Sequence, residues 1–219
     1  MSDLIDEIIK NLSRLRKHRS FWLWPNKPVV ERGVVRELLN SMHHDGDMRY
    51  RNARSVNDDW PDCEVDDESG NTVGVEVTEL VDEEAVRKAQ KWEMVFSYWT
   101  DGEIKEQVSR ILTRKDLKSS HGGLYSKVIL VIHTDEFTHL HLFPVIRNTE
   151  FTRLENIQEA FIVVSYDPET QTYPWCEIQF KEKNEKESGK TFTRMLIGGA
   201  VGFMFGFLVG LRSIRLFRA

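Results

Sequence analysis

Two carboxylates in valine-rich surroundings carry the clearest chemistry in this chain. Asp62 lies in Trp60-Pro61-Asp62-Cys63-Glu64-Val65, and Glu76 in Val73-Gly74-Val75-Glu76-Val77-Thr78-Glu79-Leu80. Alternation sets Val73, Val75 and Val77 on one face of a strand and Gly74, Glu76 and Thr78 on the other, the period of two of a half-buried strand. Cys63 and Val65 alternate in the same way with Asp62, Glu64 and Asp66. Asp67-Glu68-Ser69-Gly70-Asn71 between the two runs has turn composition, so they read as an antiparallel hairpin. Asp62 and Glu76 then share a face. Two acids held close are costly unless one is protonated or a cation lies between them, and hard divalent ions such as magnesium prefer oxygen ligands.

Helices before and after this hairpin offer further charged side chains. From about Val29 to Met42, Val34, Val35, Leu38, Leu39 and Met42 fall at helical spacing, and Glu31 lies on the same inward side, where an acid needs a partner or a role. Thr100-Asp101-Gly102-Glu103 has the pattern of a capping box and opens a helix with the stripe Ile104, Val108, Ile111 and Leu112. Extending that register reaches Lys115 and Lys118, whose apolar stems can lie along a core and deliver an ammonium into a cleft. Ser126 to His133 is an almost unbroken apolar run, as for a strand covered on both faces. Ala160 to Tyr166 and Trp175 to Phe180 read as two more strands joined by the turn residues Asp167-Pro168-Glu169-Thr170-Gln171. His139-Leu140-His141 alternates as in a strand, and with His133 these read as satisfied strand histidines rather than metal ligands. Met42-His43-His44-Asp45-Gly46-Asp47 reads as a loop. The fold class is therefore α/β, a central mixed sheet flanked by helices.

The arrangement Pro61-Asp62, then Glu76-Val77-Thr78, resembles the PD-(D/E)xK phosphodiesterase motif of the restriction-endonuclease-like nucleases. The resemblance follows the order of elements over residues 28–180, but its specific part is Asp62, Glu76 and their strands. It implies that Asp62, Glu76 and the Val77 carbonyl hold Mg2+ or Mn2+, that the substrate is nucleic acid, most simply DNA, and that a lysine orients or polarises the attacking water. This chain has Thr78 where the motif has its lysine. Some members of the fold supply that lysine from a helix, which makes Lys115 the first candidate here and Lys118 the second. An N-terminal helix in the family often adds an acid near the metal, which suggests Glu31. The expected activity is metal-dependent phosphodiester hydrolysis; the alternative is a catalytically inactive, nuclease-like binding or sensor domain.

Composition frames these expectations. The chain has 219 residues, is 40% apolar and carries a net charge of -5, enough for one core and without the bulk positive charge of a general nucleic-acid binder. Two cysteines, Cys63 and Cys176, make neither a disulfide framework nor a zinc pair. Residues 1–27 read as an amphipathic helix with a basic end and an aromatic linker, and 181–193 as a charged linker. Residues 194–212 enclose the uncharged run MLIGGAVGFMFGFLVGL, at the short end of what spans a bilayer, and 213–219 form a basic tail. Gly198, Gly202, Gly206 and Gly210 recur every four residues, a stripe that lets helices approach closely in a membrane. In a soluble helix each such glycine would cost roughly 1 kcal/mol relative to alanine. The chain is thus expected to be membrane-anchored and capable of self-association through that stripe. The acidic N-terminus lacks the pattern of a secretory signal, so the folded domain is expected in the cytoplasm.

Overall fold

The structure is a computed structural model that describes residues 27–56, 60–82, 87–88, 99–119, 125–135 and 139–181. Apart from Lys181, all belong to one of the chain's two compact units, Met1–Phe180; the other is Lys181–Ala219. The expected N-terminal amphipathic helix, the charged linker beyond Lys181, the 194–212 span and the basic tail therefore lie outside the described residues. Among the described residues, no helix is long and apolar enough to cross a membrane.

In chain order the elements are α1 (Lys27–His44), β1 (Tyr50–Ser55), β2 (Cys63–Asp67), β3 (Thr72–Glu79), α2 (Asp101–Lys118), β4 (Val128–Thr134), α3 (His139–Arg147), β5 (Glu159–Val164) and β6 (Trp175–Glu177). The strands form one sheet in the order β1-β2-β3-β4-β5-β6. β1, β2 and β3 pair antiparallel, β3, β4 and β5 parallel, and β5 with β6 antiparallel. This is the expected α/β class with a mixed sheet flanked by helices.

Period-two alternation divides the core between the two faces of the sheet. Val73, Val75, Val77, Ile129, Val131, Phe161 and Val163 pack with Val35, Leu38, Leu39 and Met42 of α1. Leu130, Ile132, Ala160 and Ile162 pack on the other side with Ile104, Val108, Ile111 and Leu112 of α2 and Leu142, Phe143, Val145 and Ile146 of α3. β3 is thus buried on both faces rather than half-buried, because it lies centrally and is covered by helices on either side. β2 and β3 form the expected antiparallel hairpin, with Cys63 opposite Val75 and Val65 opposite Val73. At its turn Gly70 has φ +83°, a conformation that glycine adopts without a Cβ clash.

Two sequence expectations change. His139-Leu140-His141 begins a helix, not a strand: downstream Leu142, Phe143, Val145 and Ile146 are buried at three- and four-residue spacing, a pattern stronger than the short alternation before it. β1 is an element the composition conceals, since YRNARS has a single large apolar residue and its pairing with β2 is interrupted by an irregularity between Arg51 and Arg54.

The ends of α2 are fixed by its own polar residues. The Thr100 hydroxyl accepts from the Glu103 N–H at 3.3 Å while Glu103 accepts from the Thr100 N–H at 2.7 Å, closing the capping box. Near the other end, the buried Asp116 carboxylate accepts from the backbone N–H groups of Glu155, Asn156 and Ile157 at 3.1, 2.7 and 3.0 Å. Asp116→Ala is expected to lower stability by about 3 kcal/mol, because three largely buried donors lose a charged acceptor. Urea denaturation should show the lower midpoint with an unchanged slope, and Asp116→Asn a smaller loss.

Candidate active site

The site forms where β3 outruns β2. Pairing between them ends at Cys63 opposite Val75, so the following residues of β3 keep β4 on one side and lose their strand partner on the other. Backbone groups in that position must be satisfied by something else. The Asp62 carboxylate supplies an acceptor, its Oδ2 2.8 Å from the Val77 N–H. Lys115, from the last turn of α2, supplies a donor, its Nζ 3.0 Å from the Val77 carbonyl. The same ammonium lies 2.5 Å from Glu76 Oε2 and 3.8 Å from Asp62 Oδ2.

A second lysine approaches from the first turn of α1. Lys27 Nζ is 2.8 Å from Glu31 Oε1, an ion-pair contact without hydrogen-bond geometry, and 3.5 Å from Asp62 Oδ1. Three carboxylates and two ammonium groups therefore form one chain of alternating charge: Glu31, Lys27, Asp62, Lys115, Glu76. Lys115, Asp62, Glu76 and Glu31 are nearly enclosed, whereas the Lys27 side chain is 45% exposed.

Burial governs how these groups hold protons. It pushes the Glu31 carboxyl up to about 7, with the neighbouring Asp62 charge adding to the shift and Lys27 opposing it. Glu76 is also raised by burial, despite the favourable Lys115 ammonium. Burial opposes the charge of Lys27, but its contacts with Glu31 and Asp62 win and raise it. Cys63, beside Asp62, is pushed up to about 12, first by burial and then by the adjacent carboxylates, so it is an inert thiol.

Of the site residues expected from sequence, Asp62, Glu76, the Val77 carbonyl, Lys115 and Glu31 are brought together. Lys118 is not: it is exposed, because the buried stripe of α2 runs on through Asp116 and Ser119 and leaves Lys118 to one side. Thr78, at the motif's lysine position, is buried on the same face as Glu76. Lys27 was not anticipated; its signal is the lysine-glutamate spacing of four residues with Glu31 at the start of a helix. His43 and His44 close α1 as part of no cluster with these groups: His43 Nε2 lies 2.7 Å from the Tyr50 carbonyl and His44 Nδ1 3.3 Å from Asp45.

The donor set suits a hard divalent ion in type, since two carboxylates and a carbonyl, all oxygen, already converge on one cation, the Lys115 ammonium. Among the described residues no group of three or more His, Cys, Asp or Glu side chains is disposed to hold a metal ion. An ion here would rest on Asp62, Glu76 and the Val77 carbonyl. No protein-family model, curated protein or solved structure matches the chain. Fold and site together define an α/β protein with a lysine-bridged acidic centre at the open side of a central strand.

Because Glu31 holds its proton more firmly in the folded chain than when unfolded, its contribution to stability is full below about pH 4.5 and is lost as pH rises toward 7. Glu31→Gln should abolish that loss. Urea midpoints are expected to show the variant gaining about 1–3 kcal/mol on the wild type between pH 5 and pH 8.

Proposed function

We propose that this protein is a metal-dependent nuclease of the PD-(D/E)xK, restriction-endonuclease-like kind, hydrolysing phosphodiester bonds in DNA and tethered to a membrane through residues 194–212. The observation that carries this reading is the meeting of Asp62, Glu76, the Val77 carbonyl and a helix-borne lysine at one point. Lys115 replaces the missing strand lysine in space although Thr78 replaces it in sequence. Magnesium or manganese, when bound, supplies Lewis-acid stabilisation of the phosphate and a more acidic water. Asp62 and Glu76 would hold the ion's charge, and the Val77 carbonyl would add a neutral oxygen. Lys115 donates a hydrogen bond to the nucleophile or to the phosphate as negative charge develops there. Glu31, with its carboxyl near neutrality, would accept the proton that the attacking water gives up as its oxygen bonds to phosphorus.

A second reading has its own support. The Lys115 ammonium satisfies both Glu76 and Val77 without any added ion, which suits a binding or sensor domain that has kept the fold and lost hydrolysis.

Cleavage of supercoiled and linear DNA by the full-length protein, with Mg2+, Mn2+ or chelator, separates the two. The nuclease reading expects metal-dependent cleavage that Glu76→Ala abolishes and Lys115→Met lowers by about a hundredfold or more. Lys118→Ala and replacement of Gly202 by leucine should leave cleavage intact. Absence of cleavage by the folded wild type with either ion favours the binding domain.

A further inference from the structure

Lys115 occupies the point on which the proposed metal ligands converge. Its ammonium touches Glu76 Oε2 at 2.5 Å and the Val77 carbonyl at 3.0 Å, with Asp62 Oδ2 at 3.8 Å. A divalent ion held by the same three oxygens would lie almost on top of Nζ, and two positive charges at that separation repel strongly where water is largely excluded. Glu76, at 5% exposure, has little solvent to compensate its charge if both cations leave.

We infer that Lys115 is the resting counter-ion of this centre, a built-in competitor that a divalent metal ion must displace in order to load. This rests on the metal-dependent reading above and adds a regulatory property to it. The site is closed by its own ammonium at low metal concentration, and the ammonium released on loading stays tethered beside the ion, where an incoming phosphate needs a donor. α2 is well placed for such an exchange, because Asp116 pins its last turn to residues 155–157, so that only the Lys115 side chain need move. Lys27 has a different part: it contacts Glu31 and the outer oxygen of Asp62 from a half-exposed position and does not fill the shared point.

Calorimetric titration of the full-length protein with MnCl2 tests this without reference to activity. Lys115→Met should bind Mn2+ about tenfold tighter than wild type, within the range usual for coupled sites. Lys115→Arg should bind more weakly, because a guanidinium can meet the Glu76 carboxylate through two parallel hydrogen bonds and is harder to displace than an ammonium. In chelator the melting temperature of Lys115→Met should fall below that of wild type, and Mn2+ should restore it. Equal or weaker Mn2+ binding by Lys115→Met, with wild type binding normally, overturns the competitor role and leaves the metal reading standing. No Mn2+ binding by wild type or either variant overturns both. If Lys115→Met does not fold, Lys115→Arg decides: weaker binding supports displacement, and equal or tighter binding overturns it.

Discussion

The carboxylates around Asp62 are tolerable only because two lysines reach them. Glu31 and Glu76 come from opposite faces of the sheet, α1 on one side and the α2-facing side of β3 on the other, and each is almost fully buried. Desolvating isolated carboxylates to that degree would cost several kcal/mol apiece. Lys115 and Lys27 offset this, and in doing so they fix where the ends of two helices must sit. The last turn of α2 has to approach β3 closely enough for Nζ to meet Glu76, and the first turn of α1 has to bring Lys27 over Asp62. The placement of both helices is thereby tied to one small group of charges.

That group depends in turn on a mismatch in strand length. β2 ends its pairing at Cys63, and the peptide of Val77 is left facing side chains instead of a strand. A β2 longer by two residues would pair with Val77 and remove the need for both Asp62 and Lys115 there. Gly74 serves the same geometry: a Cβ would meet the Tyr125 ring at 3.2 Å and Pro61 at 3.5 Å, so a side chain at this position would press on the segment that carries Asp62. Tyr125 in turn donates to Glu64 at 2.6 Å and packs edge-on against Trp60, two residues before Asp62 in the chain.

Much of this was legible in the sequence, for identifiable reasons. Alternation in β3 and the capping box of α2 are local signals, and the local structure follows them. Lys115 was reachable because helical register carries a stripe a turn beyond its last apolar residue. The same extrapolation fails at Lys118, where the stripe has drifted and the next contacts are polar, Asp116 and Ser119. Lys27 and β1 escaped because their roles are tertiary: a lysine at a helix start, or six mostly polar residues, says little until a neighbour is known. The polar cluster of Arg49 with Asp47, Glu159 and Glu177 is likewise invisible in sequence, Arg49 and Glu177 being 128 positions apart.

The two margins of the sheet bear on how this protein behaves when crowded. A long, flat outer strand is a template to which another copy can add. β1 presents Arg51 and Arg54 and breaks its regular pairing between them, with Asn52 at φ +60°, and β6 has only three residues. Neither margin offers an even row of free peptide groups. Copies brought to high local density can therefore meet through side chains without their sheets fusing edge to edge into insoluble assemblies.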